Sequence, residues 1–308
     1  MKTTHPTLLL LVACATLLTF CSKDDDVRPE PSPAIANGAK AGAAGAAGAA
    51  GAAAHACPID LPGPPLVEVE GPDGTKYCID ASEVTQGQYK KFVDAKKDDV
   101  SGQVAECWFN KSWTPREMGF EQLDGCPKGL YDPAKKPDRP MPCVNWCQAK
   151  AYCEWAGKRL CGKIGGGTIS AEKPEDAADP AGEWYNACSQ RGKTRYPYGD
   201  TYDPSKCYFR GRGGGTSDGN APAASDPLAV DCHGTEPPFD RIVNMSGSLA
   251  EWEDSCLAHP EGGLTCRVRG GGTTTPVEEG EAGSSCGNGA LATAWLWSAG
   301  AGIRCCAD

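Results

Sequence analysis

The segment Cys143–Cys161, C-V-N-W-C-Q-A-K-A-Y-C-E-W-A-G-K-R-L-C, places four cysteines on or beside one predicted helix. Its apolar residues recur at the spacing of one face of an amphipathic helix of about three turns: Trp146, Ala149, Tyr152, Cys153 and Ala156. Asn145 is the predicted N-cap and Gly157 the predicted C-terminal stop. Because these cysteines need partners elsewhere, we expect the helix to be an anchor to which distant segments are crosslinked.

The N-terminus has the pattern of a secretory signal, with a charged start and an apolar run over residues 7–20. A membrane helix, the alternative, needs about 20 apolar residues. A cysteine at the end of such a signal is typical of bacterial lipoproteins. Cys14 has the more suitable preceding residues, but cleavage there leaves residues 17–20 exposed, whereas Cys21 directly precedes the polar stretch. We predict a lipoprotein-type signal peptide over residues 1–21, lipidation of Cys21, and a location in the cell envelope, in the periplasm or on the outer-membrane surface.

Residues 22–56 form a predicted disordered tether rich in Ala, Gly and Pro. Glycine occupies every third position from Gly42 to Gly51, but alanines fill the positions between, and a collagen helix needs proline there. As a coil the tether spans roughly 30–35 Å, enough to hold a domain clear of a membrane. Residues 57–308 follow, long enough for one large domain or two small ones.

Sixteen of the 18 cysteines lie within residues 57–308. In an exported chain, an even number of cysteines favours disulfides over thiols or metal sites. No C-x-x-C pair occurs, which argues against a zinc ribbon or a thioredoxin-like site. The net charge of −10 argues against nucleic acid as a partner, because phosphate binding needs clustered basic residues.

Regular secondary structure is predicted to be sparse. Residues 67–70 and 76–80 indicate two strands joined by a tight turn. Thr85 can cap a helix, and E-W-Y-N-A-C-S-Q at 183–190 predicts another. Residues 201–240 are rich in Gly, Pro and Asp without periodicity, so crosslinks are expected to hold them. The pattern favours an irregular α+β fold.

Seven short motifs follow one another along residues 77–305. They are Y-C-I-D-A-S-E-V-T-Q-G-Q-Y-K-K-F at 77–92, A-Y-C-E-W-A-G-K-R-L at 151–160, E-W-Y-N-A-C at 183–188, Y-P-Y-G-D at 196–200, N-M-S-G-S-L-A-E-W at 244–252, R-G-G-G at 269–272 and G-I-R-C at 302–305. In this order they resemble the formylglycine-generating enzyme (sulfatase-modifying factor) domain. The resemblance implies one disulfide-rich domain over residues 57–308, with an irregular α+β fold that is C-type-lectin-like and low in secondary structure.

The best-known members of that family oxidise a sulfatase cysteine to formylglycine, using O₂ and a copper ion held by two thiolates. Cu(I) is soft and prefers such ligands. In this sequence the first family cysteine falls on Thr275 and the second near Gly280, and Cys286 alone cannot replace the pair. We therefore expect no catalytic residue, no copper, and a binding or structural role at the envelope. The alternative is a formylglycine-generating oxidase acting on an exported sulfatase-type substrate, with Cys286 taking part.

A related branch of the family, the sulfoxide synthases of ergothioneine biosynthesis, binds iron through three histidines. This chain has four histidines, of which His5 lies in the predicted signal and His55 in the tether. The remaining two, His233 and His259, cannot form such a site. We interpret them as surface histidines.

The resemblance also implies a calcium site. Hard oxygen donors from a carboxylate and backbone carbonyls suit Ca²⁺, and four residues match the family positions that supply them: Asn244, Gly247, Leu249 and Glu251. Ser248 stands where the family usually has asparagine. The alternative is that Glu251 is an ordinary carboxylate of a loop or helix.

The family pattern implies two disulfides, Cys153–Cys305 and Cys188–Cys286. Proximity around loops predicts four more: Cys107–Cys126, Cys207–Cys232, Cys256–Cys266 and Cys57–Cys78. The working hypothesis for the remaining four cysteines is Cys161–Cys306 with Cys143–Cys147. Each long-range bridge closes a loop of order 100 residues, worth about 4 kcal/mol in a chain-entropy account.

The expected partners are an envelope protein or a glycan ligand, together with the membrane that holds the lipid anchor. Trp295 and Trp297 alternate with Leu296. We interpret this pattern as a strand or a packed loop rather than as an aromatic pair that binds a ligand.

Overall fold

The computed structural model describes residues 57–117, 126–209, 232–260, 262–272 and 280–308. The predictions for residues 1–21 and 22–56, including lipidation of Cys21, lie outside the described residues, as does Thr275. The described residues fall within one compact unit. None of the helices they form is long and apolar enough to cross a membrane.

The first sheet joins the two ends of the domain. Strands β1 (Leu66–Glu70) and β2 (Lys76–Asp80) form the predicted antiparallel hairpin. Its turn contains Gly74 at φ 85°, a conformation that glycine adopts without strain. The C-terminal strand β8 (Cys305–Ala307) lies between β2 and β3 (Arg159–Leu160), which gives the order β1-β2-β8-β3.

The second sheet has the order β6-β5-β4-β7. Strand β4 (Ala250–Ala258) pairs antiparallel with β5 (Leu264–Arg269), and β5 pairs antiparallel with β6 (Gly289–Thr293). The short β7 (Ala301–Gly302) runs parallel to β4 at the other edge. This sheet carries the motifs at 244–252 and 269–272.

The helices begin where the sequence predicts. Helix α1 (Gln86–Lys96) is capped by Thr85 and α2 (Trp146–Trp155) by Asn145, each through a capping box with the glutamine three residues on. Gly157, at φ 71°, follows the end of α2. Two shorter helices, α3 (Glu183–Cys188) and α4 (Gly280–Gly283), complete the α-helices of the described residues.

Helix α2 lies in the larger apolar core. All five residues of its predicted apolar face are buried. They pack in one cluster with Tyr89 and Phe92 of α1 and with Trp252 of β4. Tyr152 stacks on Tyr89 with ring centroids 5.6 Å apart. The predicted anchor helix thus packs between α1 and the second sheet.

Eight disulfides crosslink the domain. Six are pairs that the sequence predicts: Cys57–Cys78, Cys153–Cys305, Cys161–Cys306, Cys188–Cys286, Cys207–Cys232 and Cys256–Cys266. Two bridges, one from α2 and one from the residue that follows β3, therefore hold the C-terminal strand. In a fold with few hydrogen-bonded elements, such bridges limit the unfolded chain most strongly where the loops they close are long.

The predicted pairs Cys107–Cys126 and Cys143–Cys147 are exchanged in the structure, which contains Cys107–Cys147 and Cys126–Cys143. Proximity in sequence fails because the segment after Cys107 folds over the N-terminus of α2. There the Asn145 side chain donates to Asn110 Oδ1 at 3.3 Å. This contact brings Cys107 to the first turn of α2 and leaves Cys143, just before the helix, to pair with Cys126.

Candidate functional site

A cavity of about 260 Å³ lies beside the glycine run that follows Arg269. Its walls come from β4, β5, β6 and the segment that leads into β7. The lining is mostly glycine, alanine and apolar residues, with Asn288 and Ser298 as its polar side chains. Among the described residues of this wall there is no ionisable side chain, so the cavity is suited to binding a compact apolar group and offers no titratable general acid or base.

The glycines after Arg269 allow a close approach of two segments. A Cβ on Gly270 would lie 2.6 Å from the Met245 carbonyl oxygen, and one on Gly272 would lie 2.5 Å from that of Ser248. Both distances are shorter than carbon and oxygen tolerate, so a side chain at either position would push the segments apart. The R-G-G-G motif therefore packs directly against the loop of residues 244–249, the predicted calcium site.

Cysteine chemistry is not available in the oxidised protein. All sixteen cysteines of residues 57–308 are paired in the eight disulfides. Cys286, the cysteine nearest the expected copper position, is fully buried and bonded to Cys188. A disulfide sulfur is not a thiolate, so these residues do not supply the two soft ligands that copper requires.

The two described histidines make local contacts. His233 Nδ1 lies 2.6 Å from the Gly234 carbonyl oxygen, and His259 Nε2 lies 2.7 Å from Thr265 Oγ1. Each ring therefore has a partner within its own loop or strand pair. In this part of the chain the structure does not build a three-histidine iron site.

The loop of residues 244–249 is buried and conformationally restricted. Asn244, Gly247 and Ser248 adopt φ of 60°, 73° and 58°, which is unusual for the two residues that are not glycine. The loop folds around the carboxyl group of Glu83. Leu249 N–H donates to Glu83 Oε1 at 2.8 Å, and Asn244 Nδ2 donates to Oε2 at 3.3 Å.

Glu83 is a site residue that the sequence reasoning missed. It lies two residues before the N-cap Thr85, and E-V-T within the first motif was the only local signal. The residue is 2% exposed. Burial and the nearby Glu251 carboxylate raise the pKa of Glu83 to about 8, against a smaller lowering by Arg304. Glu83 therefore keeps its proton to a higher pH than an exposed glutamate does.

Glu251 is held by an arginine and a tryptophan. Arg304 Nε lies 2.9 Å from both carboxylate oxygens, and Arg304 Nη2 lies 2.8 Å from Oε1. Trp184 Nε1 donates to Oε2 at 2.6 Å. The motifs at 183–188, 244–252 and 302–305 thus meet at one buried carboxylate.

Arg304 also connects this carboxylate to the first sheet. Its Nη1 donates to the Asp80 carbonyl oxygen at 2.7 Å. The Asp80 carboxylate accepts from Lys158 Nζ at 2.5 Å and from Cys305 N–H at 2.9 Å. Burial raises the pKa of Asp80 to about 6, although Lys158 opposes the shift. The charged residues of the motifs therefore form one internal network across the domain.

Two observations bear on the fit of calcium to this loop. The donors are hard oxygens, and Asn244 Oδ1 is buried without a hydrogen-bond partner, which suits the ion. Glu251, however, already faces the guanidinium of Arg304. A calcium ion here would share this carboxylate with an existing cation, and the calcium site stays a prediction.

Comparison with known proteins gives a family match and several similar proteins. The profile of the sulfatase-modifying factor enzyme 1-like domain family matches residues 69–307. Hercynine oxygenase of Mycobacterium tuberculosis is 26% identical over 197 residues, which is 60% of this chain and 39% of that protein. The chain thus spans about two fifths of that relative.

Three solved structures are similar to this chain. PvdO from Pseudomonas aeruginosa is 16% identical with a TM-score of 0.45, covering 76% of this chain and 81% of its own. CarF is 15% identical with a TM-score of 0.45, covering 80% of this chain and 98% of its own. Treponema denticola variable protein 1 is 14% identical with a TM-score of 0.43, covering 79% and 94%.

The profile match covers most of the chain, and its span contains the seven motifs, the buried network around Glu251 and the cavity after Arg269. The fold is the predicted one, α+β with little regular structure and many disulfides. The chain belongs to the sulfatase-modifying factor enzyme 1-like domain family.

Proposed function

We propose that this protein is a non-catalytic member of the family that works as an exported binding protein. The observation that supports this most strongly is the pairing of all sixteen cysteines of the domain in disulfides. Copper oxidation of a substrate cysteine needs two thiolates at one place. In this proposal the protein has the family fold but lacks the two free cysteines that would hold copper.

The cavity after Arg269 supports the same proposal. It lies beside the stretch where the family places its chemistry, but small and apolar side chains line its described walls. Such a pocket takes up an apolar group of a ligand by excluding water. Its volume of about 260 Å³ is slightly below the range common for small-molecule sites. The proposed ligand therefore inserts one group and extends outside the cavity.

The proposed location of the protein is based on its disulfides. Eight bridges in one domain indicate an oxidising, extracellular compartment. We extend this to a lipid anchor at Cys21 followed by the tether of residues 22–56, which would present the domain at the bacterial envelope. The proposed partners are an envelope protein or a glycan.

Calcium is part of the proposal as a structural ion. Asn244, Gly247, Leu249 and Glu251 would hold it, and the unpartnered Asn244 Oδ1 supports this assignment. Bound there, the ion would add positive charge near two buried carboxyl groups, Glu83 and Glu251. It would order the loop and take no part in a reaction.

An oxygen-dependent enzyme is the second candidate, favoured by the similarity to a protein named hercynine oxygenase. If this enzyme were a formylglycine-generating oxidase, it would need two free thiols to bind copper. Thiol titration of the denatured, unreduced protein separates the two candidates. The proposal expects no titratable thiol in residues 57–308 and no copper retained after dialysis, with the fully reduced protein as the positive control. Two titratable thiols together with bound copper would contradict it.

A further inference from the structure

A second cavity, of about 460 Å³, opens on the other side of the segment that leads into β7. Leu296 and Ser298 line the first cavity, whereas Trp297 between them lines the second. Among their described residues the two cavities share no lining residue. We call the second cavity the aromatic groove, and its walls include Phe109, Lys111, Ser112, Thr114, Arg116 and Trp297.

Both walls of the aromatic groove are held in place from behind. In the first wall, Trp113 is buried and donates through Nε1 to the Asp99 carbonyl oxygen at 2.7 Å. Gln148 of α2 donates to the Ser112 carbonyl oxygen at 3.0 Å. The Cys107–Cys147 disulfide fixes the start of this wall to the same helix.

The second wall is fixed by the other exchanged disulfide. Cys143 N–H donates to the Ser298 carbonyl oxygen at 3.1 Å, next to Trp297. Cys143 is itself bonded to Cys126. The two bridges whose pairing the sequence reasoning missed are thus the bridges that hold the groove. A groove built on crosslinked walls loses little conformational entropy when a ligand binds.

The groove carries positive charge on an acidic protein. The chain has 40 acidic and 30 Lys and Arg residues, yet no described residue lining the groove is acidic. Lys111 is exposed at its rim. The Arg116 guanidinium lies 5.9 Å from the centre of the Trp297 ring. The described lining of the groove thus contains two basic side chains and no acidic one.

Most of the large exposed apolar residues lie close in sequence to the residues that line the groove. Five large apolar residues of the described chain are exposed. Trp108 directly precedes the first wall and Trp295 lies two residues before Trp297 of the second, whereas Val104 and Leu291 lie five and six residues before those walls. Trp108 is 69% exposed and packs edge-on against Phe109. Aromatic rings left in water around a fixed groove are typical of a binding surface.

We propose that the aromatic groove binds an anionic saccharide. The ring faces of Phe109 and Trp297 would stack on the C–H faces of sugar rings, and Lys111 would pair with a carboxylate or sulfate group. A peptide is a poorer fit because the described residues of the two walls form no strand edge onto which an extended chain could add hydrogen bonds. The inference rests on the proposed binding function and names its ligand class.

The test uses the disulfide-bonded protein and titration calorimetry at low and moderate salt. The probes are an oligogalacturonate, which carries carboxylates, and a heparin fragment, which carries sulfates, against a neutral malto-oligosaccharide and poly-L-glutamate. At least one anionic saccharide should bind about tenfold or more tightly than the neutral one, and more weakly as salt rises. The preferred anionic probe identifies the acidic group.

Two variants locate the binding. Lys111→Glu should weaken binding about tenfold or more by reversing the charge at the groove. The matched control Lys91→Glu, on the exposed face of α1, should leave it unchanged. Trp297→Ala, checked for a native melting transition, should also weaken binding.

Three results would overturn the assignment: no binding of either anionic saccharide, unchanged binding by Lys111→Glu, or equal binding of poly-L-glutamate. Loss of the groove assignment would leave the thiol titration unaffected. Conversely, free thiols with bound copper would contradict the non-catalytic role while leaving saccharide binding to be measured independently. The two proposals therefore fail separately.

Discussion

Replacing Arg304 with methionine removes the only guanidinium that contacts Glu251 in the described residues, while keeping most of the side-chain volume. The variant leaves the Glu251 carboxylate buried with Trp184 as its remaining donor. It also removes the donors to the carbonyl oxygens of Asp80 and Val243. Removing one partner of a buried ion pair costs about 3–5 kcal/mol, and loss of the donor to the buried Asp80 carbonyl oxygen adds about 1–3 kcal/mol. We expect the free energy of unfolding to fall by at least about 4 kcal/mol.

Equilibrium unfolding in guanidinium chloride, monitored by tryptophan fluorescence with the disulfides intact, measures this loss. Arg241→Met, at an exposed arginine, is the matched control and should change stability by less than about 0.5 kcal/mol. The double variant Arg304→Met, Glu251→Gln should recover part of the loss, because it removes the uncompensated charge. A loss below about 1 kcal/mol for Arg304→Met would refute the argument that this pair organises the domain.

Three further predictions follow from the same structure. Burial raises the pKa of Glu83 to about 8, so the unfolded chain releases this proton at lower pH than the folded one. The free energy of unfolding, measured by urea melts, should therefore fall as the pH rises from about 5 to about 8. Glu83→Gln should make this dependence on pH weaker. Peptide mapping without reduction should recover Cys107 linked to Cys147 and Cys126 linked to Cys143, whereas peptides joining Cys107 to Cys126 would contradict the fold. The Cys107–Cys147 bridge has a sequence separation of 40, and its removal should lower the free energy of unfolding by about 4 kcal/mol. Saturating Ca²⁺ should raise the melting temperature and EGTA should reverse the rise, whereas identical melts in both would remove the ion from the proposal.

The features that the sequence predicted correctly depend on local signals. Thr85 and Asn145 cap their helices because a side-chain oxygen and a glutamine three residues later suffice to satisfy the first amide groups. The hairpin of β1 and β2 depends on alternation and a turn, which are equally local. Such signals need no knowledge of the rest of the fold.

The features that were missed depend on how distant segments meet. The pairing of Cys107 with Cys147 is set by a loop that folds over a helix terminus, which sequence spacing does not encode. Glu83 belongs to the site because the loop of residues 244–249, far away in sequence, folds around its carboxyl group. Trp297 lies in a half-buried loop, one of the two structures predicted for it, but the groove that it lines has its other wall far away in sequence. In each case tertiary contact, rather than local propensity, decides the role.

The central claim is that the domain keeps the family fold without its oxidase chemistry, and one assay tests this most directly. The purified, disulfide-bonded protein is incubated with copper, O₂, a reductant too weak to open its disulfides, and a cysteine-containing sulfatase-type peptide, and the peptide is then analysed by mass spectrometry. The account predicts that the peptide cysteine stays unconverted, with Cys188 and Cys286 still bonded to each other. Appearance of an aldehyde in place of the peptide thiol, dependent on the protein and on O₂, would contradict it.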